Sequence, residues 1–233
     1  NATGAQFFDA LADGDAAVSG ALRSFVTQAG IPRLRARLEC PAGERPALVL
    51  SQARLLPLGS QPSEAERAQT WQVPLRIATP AGLTPGLLAT REGRIALPDA
   101  GCPAWVQANA GGAGYFRVAY EPGTPQPLRA QPAPTTGEAM AGLDDAMALT
   151  ESGDIDASAW LEAATAMAAR PERRVVQTVI EQLLAWRALT PADDAAAQAA
   201  QAALAQRLLG ERARALGWLP RPGDSEDAAL LRT

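Results

Sequence analysis

The order of apolar and polar positions changes character twice along the chain. At the start, Thr3-Gly4-Ala5-Gln6 has capping-box spacing ahead of Phe7, Phe8 and Leu11, and Val18, Leu22, Phe25 and Val26 recur at helical spacing behind Asp15. Gly30 followed by Ile31-Pro32 supplies a helix stop, so residues 1–31 read as a helical pair. The period then falls to two. In Arg33-Leu34-Arg35-Ala36-Arg37-Leu38-Glu39, apolar and charged residues alternate, as in a strand with one buried and one wet face. Further strands are expected over 47–56, 71–78, 86–97 and 114–120. They are separated by Pro41-Ala42-Gly43, Pro80-Ala81-Gly82-Leu83-Thr84-Pro85-Gly86 and Pro98-Asp99-Ala100-Gly101, which read as turns. Short strands without intervening helices predict an antiparallel β-sandwich over residues 32–120. Pro74 places its strand at an edge or on a bulge.

The second change follows a segment, 121–137, that holds Pro122, Pro125, Pro127, Pro132 and Pro134; this density blocks both helix and central strand and reads as a linker. From 138 to 233 the helical period returns. Met140, Leu143 and Met147 mark one helix, and Trp160, Ala164 and Met167 a second, with Asp154 or Asp156 as its cap. Pro171 suits a first helical position before Val175, Val176, Val179, Ile180, Leu183 and Leu184, and Thr190-Pro191-Ala192-Asp193 starts an Ala-rich helix carrying Leu204, Leu208 and Leu216. The expected fold is thus multidomain β plus α: a short helical pair, an antiparallel sandwich, then a stacked helical array. The apolar stripe of that last helix and the pair Leu230-Leu231 have no closing polar helix after them, so the array is expected to be partial and to expose an apolar face.

Composition narrows the chemistry. The 233 residues carry a formal charge of -4 without a long run of one sign, which leaves no footprint for nucleic acid. No apolar stretch reaches the ~20 residues of a membrane span, and Asn1-Ala2-Thr3 does not open a signal peptide, so the chain is expected to start inside something longer. The absence of histidine removes Ser-His and Cys-His nucleophiles, the H-E-x-x-H zinc site and a His proton shuttle. Asp144-Asp145 and Asp193-Asp194 are adjacent pairs whose side chains diverge by about 100° on a helix, which makes them caps or solvated surface rather than paired catalytic acids. No catalytic residue and no metal ligand is assigned.

Gly111, Gly112 and Gly114 precede a strand-like run and no Lys-Ser/Thr follows, so they read as a tight turn or bulge with positive φ rather than a phosphate cradle. Tyr115, Phe116, Arg117 and Tyr120 are divided by strand alternation between core and solvent, and Trp71, Trp105, Trp160, Trp186 and Trp218 are scattered packing residues. Cys40 and Cys102 lack the histidines of a usual zinc site and are either free thiols or one disulfide. Cys40 ends the first strand and Cys102 enters the last, so neighbouring loops can bring them together.

Three stretches in this order resemble the region C-terminal to the catalytic domain of the aminopeptidase N (alanyl aminopeptidase) family of zinc metallopeptidases. They are Gly30-Ile31-Pro32 leading to Leu50-Ser51-Gln52-Ala53-Arg54; Trp71-Gln72-Val73-Pro74-Leu75 with the later Asn109-Ala110-Gly111-Gly112-Ala113-Gly114-Tyr115-Phe116-Arg117-Val118-Ala119-Tyr120; and Leu216-Gly217-Trp218 with Pro222-Gly223-Asp224 and Leu230-Leu231-Arg232. The resemblance implies a parent that binds zinc and removes N-terminal residues from peptides, with residues 1–31 as the tail of its catalytic domain. This chain would then be its non-catalytic sandwich and helical region, supporting and closing the cleft. The implied partner is the catalytic domain of the same full-length chain, and the peptide substrates belong to the parent. None of the family's active-site segments occurs here. Exported members show a similar Cys-Pro-x-Trp stretch, so the resemblance favours a Cys40–Cys102 disulfide and a periplasmic or extracellular location, with a cytoplasmic one as the alternative. An independent binding or adaptor module without an enzymatic parent is the alternative function.

Overall fold

The computed structural model describes residues 3–125 and 134–232. Helices α1 (Gly4–Ala12) and α2 (Ala16–Thr27) open the chain, the first started by a Thr3/Gln6 capping box and the second by the Asp15 carboxylate, which accepts from the Ala17 and Val18 amides. Gln28 donates to the Thr70 carbonyl and Ser24 accepts the Gln72 amide, which fixes α2 against the β half.

A four-stranded sheet has the order β5-β2-β1-β6, built from β1 (Pro32–Glu39), β2 (Ala47–Arg54), β5 (Glu92–Ala96) and β6 (Arg117–Tyr120); β3 (Val73–Thr79) and β4 (Gly82–Leu88) form a second sheet of two strands. A short helix, α3 (Glu64–Ala68), stands between β2 and β3. Alternation works as expected on β1. Leu34 and Ala36 are fully buried while Arg35 and Arg37 are exposed. Trp71, Val73, Leu75, Ile77, Leu48 and Leu50 share one core with them. Gln52 is a polar staple inside that core: its amide donates to the Trp71 and Thr90 carbonyls, and its oxygen accepts the Trp71 N–H at 2.8 Å.

The strand boundaries differ from the expected ones for specific reasons. Residues 80–86 are not one long turn. Thr79 pairs with Gly82 across a two-residue loop, and β4 runs on through Pro85. Pro74 and Pro85 are tolerated because they fall on the same alternate set of positions as Ala78, whose N–H points away from β4 to the Gln107 carbonyl; neither removes a bond from the β3–β4 ladder. The expected strand 86–97 is divided between β4 and β5, and 114–120 is strand only from Arg117. Among the described strands the pairing of β6 with β1 is parallel, with Leu34 opposite Val118, after the chain has crossed through β3 and β4.

Residues 126–133 of the expected linker, with Pro127 and Pro132, lie outside the described residues. Helix resumes at α4 (Thr136–Glu151), two residues inside the expected linker range, because Thr135 and Glu138 form a capping box. It is followed by α5 (Ala157–Ala168), α6 (Arg173–Leu189), α7 (Ala195–Leu216) and α8 (Glu226–Leu231). Helix α6 begins two residues after Pro171 with Glu172 as N-cap, and Asp194 caps α7. A second core gathers Leu143, Met147, Trp160, Ala164, Val175 and Val179, with the Trp160 and Trp186 rings stacked at 4.6 Å. Leu204 and Leu208 are half-buried against it, whereas Leu230 is 46% exposed and Trp218 93%. No described helix is long and apolar enough to cross a membrane.

Candidate functional site

The helical array is seated on the β half where β6 and the loop before it meet α4 and α5. The loop is closed by Asn109, whose side chain accepts the Gly114 N–H at 2.8 Å and donates to its carbonyl at 3.3 Å. Gly111 and Gly112 adopt φ of 77° and 66°. Two backbones also approach closely here: a Cβ on Gly112 would overlap the Gly137 carbonyl of α4, and one on Gly137 would overlap the Gly111 carbonyl. The expected positive φ holds for Gly111 and Gly112 but not for Gly114, where the close approach of the Phe116 ring leaves no room for a Cβ. The close approach across the loop and helix had no signal in the spacing.

Glu138 ties the same two elements. One oxygen accepts the Gly111 N–H at 3.0 Å, and the other accepts the amide and hydroxyl of Thr135. Burial penalises its charge, but those donors together outweigh it and hold the carboxyl below its ordinary range. The Thr135-x-x-Glu138 pattern was a readable sign of its capping role; the bond to Gly111 was not.

From β6, Arg117 reaches the paired acids of α4, its nitrogens standing 3.8 Å from Asp144 and 4.0 Å from Asp145. Asp145 corrects the expectation that both acidic pairs are caps or solvated surface, since only 14% of its side chain is exposed. Burial pushes its carboxyl up to about 8, against the pull of Arg117 and the Val118 N–H, with Asp144 adding to the rise. The other pair behaves as expected: Asp194 accepts the Ala197 N–H. Tyr120 donates to Gln107 at 2.9 Å and accepts from the Ala108 amide at 3.0 Å, and burial raises its phenol above the ordinary value. Tyr115 is 67% exposed and meets Phe25 edge-on, whereas Phe116 is in the core.

A latch on the outer face of β1 completes the seat. Asp154 does not cap α5. Its carboxylate takes Arg33 at 2.6 Å and Arg35 at 3.0 Å, and Ser152 donates to it at 2.7 Å. Burial opposes its charge, yet Ser152, Arg33 and Arg35 hold its carboxyl below the usual range. Asp156 is the N-cap residue by position and makes no side-chain cap bond.

Cys40 and Cys102 are not part of this seat. Their sulfurs are 2.01 Å apart, with Cα atoms 5.4 Å apart, beside a surface recess lined by Pro46 and Pro98. Among the described residues, no three His, Cys, Asp or Glu side chains gather as a metal ion would require, and the chain has no histidine.

Residues 105–233 match a family model described as the ERAP1-like C-terminal domain. The matched segment starts four residues before Asn109, so it takes in the closed loop, β6 and the helices of the array from α4 to α8. No curated protein matches the chain.

Proposed function

The chain belongs to the ERAP1-like C-terminal domain family, the C-terminal region of aminopeptidase N-type enzymes, and from that premise we propose that it supports and closes the catalytic cleft of a zinc-dependent aminopeptidase that removes N-terminal residues from peptides. The observation that carries the reading is the family match across the seat and the whole array. In this reading residues 32–120 are the sandwich unit, 138–233 the helical unit, and the catalytic domain of the same chain is the partner. The residues present here do not fit the zinc of such an enzyme, because its histidine ligands have no counterpart, so the metal and the chemistry belong to that other domain. What this region contributes is position. Asp154, Glu138 and the Gly112–Gly137 contact hold the array at a fixed angle to the sheet. The bonded sulfurs of Cys40 and Cys102 support a periplasmic or extracellular location for the parent.

The test uses the full-length enzyme. Asp154→Ala loosens the seat without touching the catalytic domain. Hydrolysis of a single aminoacyl chromogenic substrate should keep its kcat/KM within about twofold, while the dependence of kcat/KM on peptide length changes. An unchanged length profile overturns the cleft role, and a full-length sequence lacking H-E-x-x-H overturns the enzymatic parent.

A further inference from the structure

Between β6, the loop before it, and helices α4 and α5 lies a cavity of about 190 Å³. At water's share of about 30 Å³, it has room for roughly six non-hydrogen atoms. The small side chains of Ala141 and Ala146 on α4 and of Ala159 and Ala163 on α5 leave this space open, and Leu149, Ile155 and Met167 make much of its wall apolar.

Most polar side chains of the lining are already committed. Asn109 is closed on Gly114, Glu138 accepts from Gly111 and Thr135, Asp145 faces Arg117, and Glu162 has a partner of its own. Gln107 is different. It is only 7% exposed, and two backbone bonds of 2.8 Å to Ala78 of β3 fix its place in the cavity wall. Tyr120 accepts the Ala108 N–H and spends its own hydrogen on Gln107 Oε1. That orients the amide and leaves Gln107 Nε2 with two hydrogens and no acceptor among the described residues. Buried donors are nearly always partnered, and an apolar wall offers a water few of the two to four polar neighbours it needs.

The occupant that completes this site brings one acceptor oxygen on a short hydrocarbon body. An ammonium group would set donors against the donor of Gln107. A carboxylate would stand near Glu138, which its amide donors keep ionised. We propose that the cavity binds a small uncharged carbonyl compound of about six non-hydrogen atoms, whose oxygen accepts from Gln107 Nε2. The site is independent of the cleft-closing role, since it needs neither the catalytic domain nor a peptide.

The test titrates the 233-residue chain at neutral pH with butyramide, and with butanoate and n-butylammonium as charged counterparts, by ligand-observed NMR. Butyramide should bind in preference to both. Gln107→Glu keeps the acceptor for Tyr120 but replaces the free donor with an oxygen, and should weaken butyramide about tenfold. Ala163→Leu, which fills the cavity and leaves Gln107 in place, should abolish binding while the circular dichroism stays unchanged. If Ala163→Leu does not fold, an intermolecular NOE between the butyramide methyl and the Met167 methyl locates the ligand in its stead. No binding, binding of either charged counterpart as tight as that of butyramide, butyramide binding that a folded variant leaves unchanged, or a missing NOE overturns the proposal.

Discussion

Replacing Gly112 with alanine should destabilise this protein far more than its small size change suggests. Two penalties combine. The residue sits at φ 66°, where an L side chain costs about 1 kcal/mol. Its new Cβ would also overlap the Gly137 carbonyl and stand 3.2 Å from the Ala141 Cβ, and backbone yields little; overpacking of this kind costs about 1–3 kcal/mol. The sum is about 2–4 kcal/mol, or roughly 5–15 °C in melting temperature for a chain of this length. Gly43 supplies the control, because it has a φ of 78° and an added Cβ would meet nothing within 4 Å, so Gly43→Ala isolates the backbone penalty at about 1 kcal/mol. Gly137→Ala sharpens the comparison: helix propensity alone would make it stabilising by about 1 kcal/mol, and the contact with Gly111 should reverse that sign. Urea unfolding followed by circular dichroism measures all three. If Gly112→Ala costs no more than Gly43→Ala, the close seating of loop on helix is wrong.

Asp145→Asn should raise stability near neutral pH. A carboxyl whose folded pKa lies above its unfolded one stabilises below about pH 4 and loses that contribution as pH rises to about 8, so the wild type should weaken across this window and the variant should not, as thermal unfolding at several pH values will show. Asp154→Asn should act in the opposite sense. It leaves Arg33, only 22% exposed, without its partner at a cost of about 1–3 kcal/mol at pH 7; because the Asp154 pKa is depressed, that cost should vanish as pH falls through its folded value, and an Arg33→Ala/Asp154→Asn double-mutant cycle isolates the pair. Reduction of the Cys40–Cys102 bridge, 62 residues apart, should remove up to about 4 kcal/mol of loop-closure stabilisation and lower the melting temperature; two free thiols in the denatured, unreduced protein would refute the bridge.

The elements that periodicity and capping specify were legible in the chain. Thr3, Asp15 and the Arg33-to-Glu39 alternation led to α1, α2 and β1. Elements shaped by partners distant in sequence were not. Gly82-to-Gly86 reads as turn because of Pro85 and its glycines, and becomes the first part of a strand only because β3 offers a ladder whose open positions fall at the prolines. The candidate site was the least legible part. Asp145 looks like any acidic residue on a helix until β6 is laid over it, and Asp154 reads as a cap until Arg33 and Arg35, some 120 residues earlier, reach it. Burial and distant ion pairs leave no local periodic trace.

The parallel pairing of β1 with β6 has a consequence for how the protein is made. As the chain is synthesised, β1 and β2 can pair as soon as Arg54 is available, but the other edge of β1 waits until residues 117–120 have followed. For that interval a strand carrying Leu34, Ala36 and Leu38 presents unsatisfied backbone to any neighbouring nascent chain. Arg33, Arg35 and Arg37 alternate along that open edge, and charge on an exposed strand opposes pairing with a second copy. These arginines, two of which later hold Asp154, thus first act as guards against misassembly during synthesis, and substituting them should reduce the yield of correctly folded protein before it alters the stability of the finished one.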